Sequence, residues 1–140
     1  MKKVVLKVSS FKDIKKVFLA NIPLFLIIAV LAIAVFLNGM NGEFVSDDIP
    51  GIVNNETVHS LGKAVSNLAL QGSLWAVVYG VWGESETPFH VLSLVFHIIN
   101  VSLFFLIIYN LFNKKVAAVA SVLYAVHPLV SETILWISAF

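Results

Sequence analysis

Asp47 and Asp48 are adjacent carboxylates in a loop phrase, Phe44–Asn55, that begins shortly after the apolar run Val17–Leu37. A carboxylate pair just outside a membrane helix is poorly placed to pack and well placed to act at a bilayer surface. One carboxylate can accept a proton from an attacking hydroxyl as a general base, while its neighbour orients a partner group or a divalent cation. Ile49, Pro50 and Gly51 supply the turn residues that would present the pair. By itself, an Asp-Asp pair also fits a solvated turn.

Two further sets of residues have chemical potential. His127-Pro128 interrupts the third apolar stretch, and Glu132 follows five residues after His127. Val116–Val126 would be about 16 Å long as a helix, half a bilayer, so the proline would kink or restart the helix near mid-depth. Ionisable groups at that depth mark a functional site by default, with a His–Glu tie between helices as the bland reading. His90, Ser93, His97 and Asn100 fall within about 80° of one another on a helical wheel, so this face is expected to look inward. Inter-helix hydrogen bonding is the ordinary reading of that face, and substrate contact is the functional one. His90 and His97 lie two turns apart, about 10 Å along the axis, and cannot share one metal ion.

Composition dictates what must hold these groups. Of 140 residues, 59% are hydrophobic and 12% charged, with a mean hydropathy of +0.95, which places the chain among integral membrane proteins. Val17–Leu37, as a helix of about 31 Å, spans a hydrocarbon core, and Pro23 sits early in it, where few helical bonds are broken. Its length favours an uncleaved anchor over a signal peptide. Phe89–Phe112 forms a second span, and Asn113-Lys114-Lys115 turns the chain into the third, which runs to about residue 137 with its kink at His127-Pro128. Lysines 2, 3, 7, 12, 15 and 16 crowd the start, whereas residues 38–88 carry six acidic residues against Lys63. Basic segments remain cytoplasmic, so the N-terminus and Lys114-Lys115 are expected inside and the loop 38–88 outside. That side would be the exterior of a prokaryotic plasma membrane or the lumen of a eukaryotic endoplasmic reticulum.

Within that loop, residues 61–83 are moderately apolar but interrupted by Lys63, Asn67 and Gln71. Leu68, Trp75, Tyr79 and Trp82 share roughly 60° of a helical wheel, a stripe suited to an interfacial helix, or to ordinary packing against the spans. The expected fold is therefore an all-α integral membrane protein with three transmembrane helices and an outer loop carrying an interfacial helix, organised as one membrane domain over residues 1–140. Asn55-Glu56-Thr57 matches an N-glycosylation acceptor, a short pattern with meaning only in a eukaryote. The absence of cysteine excludes disulfides and thiolate chemistry. Nothing in the chain points to nucleic acid.

The order of these features resembles the N-terminal part of the GT-C-type membrane glycosyltransferases, nearest to the transmembrane and tetratricopeptide-repeat O-mannosyltransferase-like proteins and their prokaryotic relatives. The resemblance rests on Phe44, Asp47, Asp48, Ile52 and Asn55 in the loop, and on Pro88, His90, His97 and Asn100 in the second span. Tyr124, His127, Pro128, Glu132, Trp136 and Ser138 complete it, so that it covers roughly residues 17–140. It implies transfer of a sugar from a polyprenyl-phosphate-linked donor to an acceptor on the outer face. Asp47 would be the general base and Asp48 its neighbour, with His127 and Glu132 shaping the cavity near donor phosphate or acceptor.

Two departures from the family pattern bear on that implication. Many relatives carry an Arg-Pro-Leu-like phrase before the second span, whereas this chain has no arginine, leaving Lys63 or a metal to balance the donor phosphate locally. Family members also have many more spans. The chain is therefore expected to be the front end of a longer polytopic enzyme, incomplete without C-terminal spans or a partner membrane subunit. The competing expectations are a small non-catalytic membrane subunit and an inactive truncated remnant.

Overall fold

The structure, a computed structural model, describes residues 10–67 and 70–139. Lys2, Lys3, Lys7 and Leu68, which figure in the charge asymmetry and the aromatic stripe, lie outside the described residues. Those described are helical, without a strand: α1 (Phe11–Ala20), α2 (Ile22–Phe36), α3 (Leu61–Asn67), α4 (Leu70–Trp82), α5 (Thr87–Leu111), α6 (Lys114–Ala125) and α7 (Ser131–Leu135). Ile22–Gly39 and α5 are long and apolar enough to cross a membrane, and a third span results if α6 and the broken segment Pro128–Leu135 act as one. The chain divides into two compact units, one of described residues through Val35 with Phe96–Val130, the other of Phe36–Val95 with the segment from Ser131 onward.

In the first unit the expected continuous helix Val17–Leu37 is corrected: it breaks at Asn21. Ser10 and Asp13 start α1 with a reciprocal capping box. Lys12, Lys15 and Lys16 on one side of the helix and Val17 and Phe18 on another make it amphipathic. At its end the Asn21 backbone N–H turns back to the Phe18 carbonyl at 3.0 Å, and the Asn21 amide nitrogen donates to the Val17 carbonyl at 2.7 Å. Pro23, lacking an N–H, cannot continue the α1 ladder but suits the first turn of α2. A polar, self-capping residue two positions before a proline thus divides an apolar run whose hydropathy shows no interruption.

Phe25 stacks on Phe18 and meets Phe105 of α5 edge-on, with centroids 4.8 and 5.3 Å apart. Ile28, Val101 and Phe105 complete that core with Ala117 and Ala125. Ala117, Ser121 and Ala125, spaced by four on α6, are fully buried, and their small side chains allow the close helix approach that replaces hydrophobic driving force in lipid. On α5 the residues Val91, Val95, Ile99, Leu103, Ile107 and Leu111 form the exposed stripe.

In the second unit, Ile52, Val58, Ala64, Ala76, Val78, Phe89 and Ile137 form the core, with Phe44, Trp75 and Tyr79 packed against it. Trp75 and Tyr79 therefore take the packing reading of the aromatic stripe, while Trp82 stays exposed. The His59 ring stacks on Tyr79 at 4.0 Å and bonds the Ile52 carbonyl at 3.0 Å, tying the loop to α4. Loss of solvent around the Tyr79 hydroxyl, then the charge and hydrogen bond of Glu84, raise its pKa above the ordinary tyrosine value, so it stays a neutral donor. Gly83 ends α4 with φ +64°, a left-handed cap in which its N–H bonds the Tyr79 carbonyl at 2.7 Å.

Within the second unit, Gly39 lies against Leu135 of α7. A Cβ built there would lie 2.5 and 2.7 Å from the Leu135 δ carbons. Gly39→Ala is expected to destabilise the protein by no more than about 1 kcal/mol, because the overlap falls on the end of a leucine side chain that can rotate aside. The cost should largely disappear in a Leu135→Ala background, measured as a double-mutant cycle by denaturation in micelles.

Candidate functional site in the Asp47-Asp48 loop

The loop builds itself from short-range bonds. Ser46 adopts φ +48°, a left-handed conformation uncommon for a residue with a Cβ, and strain of this kind collects at functional sites. It lets the Asp48 N–H close a turn onto the Val45 carbonyl at 2.9 Å. The next residues, Ile49–Val53, wind into one π-helical turn, a rare form frequent near functional sites, closed by Asn54 N–H to the Ile49 carbonyl at 2.8 Å. Asn55 staples the far end: its amide nitrogen donates to the Gly51 carbonyl at 3.1 Å and its oxygen accepts from the Thr57 N–H at 3.0 Å. Both ends of the glycosylation-like Asn55 are thus committed to the loop.

The two aspartates part company here. Asp48 is 1% exposed; its Oδ2 accepts the Val45 N–H at 3.0 Å and its Oδ1 accepts the Ser138 N–H at 2.8 Å, across 90 residues of sequence. A buried carboxylate held by two backbone donors is a structural clamp with strong, charge-assisted bonds. Asp47 is exposed, its carbonyl accepting from the Gly51 N–H at 2.9 Å, which fixes the backbone beneath a solvent-facing carboxylate. Chemically, Asp47 has the access a base requires, and Asp48 supplies its position.

Phe44 and Ile52 serve the loop as packing residues, Phe44 meeting Phe89 edge-on at 5.5 Å and Ile52 being fully buried. His90, 1% exposed, bonds the Gly42 carbonyl through Nε2 at 3.0 Å. A carbonyl only accepts, so Nε2 is the donor in this bond, and the second ring nitrogen is Nδ1. That Nδ1 is buried without a hydrogen-bond partner among the described residues. Glu132 opens α7 and is exposed, while Trp136 and Ile137 beyond it turn inward.

The remaining expected site residues belong to the first unit. His97 donates through Nε2 to the Ala125 carbonyl at 3.1 Å and meets Tyr124 edge-on at 5.6 Å. Ala125 ends α6, so the histidine satisfies a carbonyl that the helix break leaves without an intrahelical donor. This geometry is that of an inter-helix tie. His127 is exposed, and its Nδ1 accepts the Leu129 N–H at 3.2 Å, capping the 3-10 turn Pro128–Val130. Asn100 corrects the expected inward face: His90, Ser93 and His97 are buried, but Asn100 is exposed. At 100° per residue it has drifted beside Ile99 on the exposed stripe. Among the described residues no group of three or more His, Asp or Glu side chains is placed to hold a metal ion.

Sequence reasoning missed Ser46, and it named Ser138 only as part of the resemblance, without its role as the backbone donor to Asp48. Ser46 carries no signal in its type, since serine is unremarked in loops, and Ser138 acts through its backbone N–H, which any residue but proline would supply. No family model, curated protein or solved structure matches the chain.

Asp48→Asn is expected to cost about 1.5–3 kcal/mol, because the amide cannot accept at both ends and brings its own NH2 against a backbone donor. Asp47→Asn should leave stability within about 0.5 kcal/mol of wild type. Parallel denaturation curves of the two purified variants compare them directly.

Proposed function

We propose that the chain belongs to a glycosyltransferase that moves a sugar from a polyprenyl-phosphate donor to a hydroxyl acceptor at the outer membrane face, with Asp47 as the general base. The single observation that carries this reading is the division of labour in the loop. Asp48 is buried and doubly bonded, which leaves an exposed Asp47 on a strained turn. In the reaction Asp47 removes the acceptor hydroxyl proton as that oxygen attacks the anomeric carbon. The bond from that carbon to the phosphate oxygen breaks, and polyprenyl phosphate departs with the electron pair. General-base assistance of this kind contributes about 10²–10⁴-fold. The resemblance of the loop and span motifs supplies the substrate class.

Asp47→Asn is expected to lower transfer from radiolabelled polyprenyl-phosphate mannose by at least about 100-fold in membranes carrying the protein, with unchanged protein level. Wild-type transfer by this variant would remove Asp47 from the chemistry.

The reading also requires the loop 38–88 on the outer side and the N-terminus and Lys114-Lys115 in the cytoplasm, following the lysine distribution. Because the chain has no cysteine, single cysteines report topology without background. Glu56→Cys should react with a membrane-impermeant maleimide in intact cells, and Lys115→Cys only after permeabilisation. The reverse pattern would place the aspartates on the wrong side for an outer-face transferase.

A second reading, a non-catalytic membrane subunit, is favoured by Asn100 alone. An exposed amide halfway along a span is costly in lipid and calls for a covering protein. Under that reading Asp47→Asn has no effect on any transfer activity.

A further inference from the structure

The strongest feature outside the loop is a cleft of about 350 Å³ in the first unit, between α1 and the turn that joins α5 to α6. Asp13 and Lys16 of α1, Asn21 at the break before α2, Tyr109 near the end of α5 and Lys114 at the start of α6 line it. The positions follow from the fold: the short turn from α5 to α6 brings Tyr109 and Lys114 to one end, where Asp13 and Lys16 of α1 and Asn21 at its C-terminus line the same cleft.

Asn21 distinguishes this cleft from a chance gathering of lysines. It is 5% exposed and its amide nitrogen is spent on the Val17 carbonyl at 2.7 Å. That bond fixes the orientation of the amide, since a carbonyl cannot accept from Oδ1. The Oδ1 is left buried with no hydrogen-bond partner among the described residues. Leaving such an acceptor bare is costly, so the cleft calls for a donor. Among the described residues its formal charge is +1, from Lys16 and Lys114 against Asp13. A ligand that matches both must carry one negative charge and a hydrogen-bond donor a few ångströms away.

We propose that this cleft binds a phosphodiester bearing a hydroxylated headgroup, such as the glycerol headgroup of an anionic phospholipid. The phosphodiester carries a single charge for Lys16 and Lys114, and a headgroup hydroxyl donates to Asn21 Oδ1. A phosphate dianion brings too much charge and no donor, and a zwitterionic headgroup brings no net charge. Lys114 follows the candidate span Thr87–Leu111 by three residues and Lys16 precedes the candidate span Ile22–Gly39 by six, positions that suit a phosphate at a membrane boundary, and each basic residue near an anionic surface adds about a factor of five in affinity. This inference is independent of the proposed transferase activity.

The test is native mass spectrometry of the full chain in detergent, titrated with phosphatidylglycerol, phosphatidylmethanol, phosphatidylethanolamine or phosphatidylcholine. Phosphatidylglycerol is expected to bind best, about fivefold better than phosphatidylmethanol, which has the same phosphodiester without a hydroxyl. Lys16→Gln/Lys114→Gln should weaken its binding by roughly tenfold or more. Lys15→Gln/Lys115→Gln removes the same charge from neighbouring lysines that do not line the cleft, and should change binding less than twofold. Displacement of the lipid by deacylated glycerophosphoglycerol would assign recognition to the headgroup from either source. Failure of that displacement, with the lipid preference intact, would assign the site to membrane lipid. Equal loss in the two double variants, equal binding of phosphatidylmethanol, or binding of phosphatidylethanolamine as tight as phosphatidylglycerol would each overturn the proposal.

Discussion

A buried carboxylate, Asp48, receives backbone N–H groups from both ends of the second unit, Val45 beside it and Ser138 far along the chain. An anion in so dry a place is tolerable only if both oxygens are engaged. The constraint therefore propagates. Ser46 must adopt a left-handed turn so that Asp48 can point inward, and the segment carrying Ile137 and Ser138 must come to the loop. The π-helical turn that follows then delivers Ile52 into the core. Asp47 faces out because its neighbour faces in.

The same economy governs the histidines. His90 and His97 each use Nε2–H to satisfy a backbone carbonyl, one at Gly42 and one at the end of α6. Carbonyls freed by loops and helix ends need a donor where water is excluded, and these side chains supply one. His127 works in the opposite sense, accepting an N–H of the turn that its own proline begins. Three histidines that chemistry would single out thus bond first to backbone, and the orphaned Nδ1 of His90 marks one that still has capacity.

Much of the architecture is legible in composition. The α5 span, the dibasic turn and the stop of α6 before His127-Pro128 follow from hydropathy, charge and proline chemistry. The break at Asn21 was harder to see, because one amide among apolar residues barely alters hydropathy while its hydrogen bonds cap a helix. Asn100 misled for a related reason: a polar residue in a span is expected inside, and wheel angle alone cannot separate the last buried position from the first exposed one. In the loop, Asp47 and Asp48 are indistinguishable as letters, and their difference lies in backbone direction.

By itself the sequence determined that this protein is helical, that two or three of its segments are long and apolar enough to cross a membrane, and that its acidic loop is chemically the most suggestive segment. These properties depend on transfer free energies and local backbone rules, which act on residues one at a time or at helical spacing. Only the tertiary structure decided which aspartate is the clamp and which is exposed, that the first apolar run is interrupted at Asn21, and that a basic cleft forms beside an amide oxygen without a hydrogen-bond partner among the described residues. Those outcomes depend on bonds between residues as distant as Asp48 and Ser138, whose meeting is encoded in no local pattern.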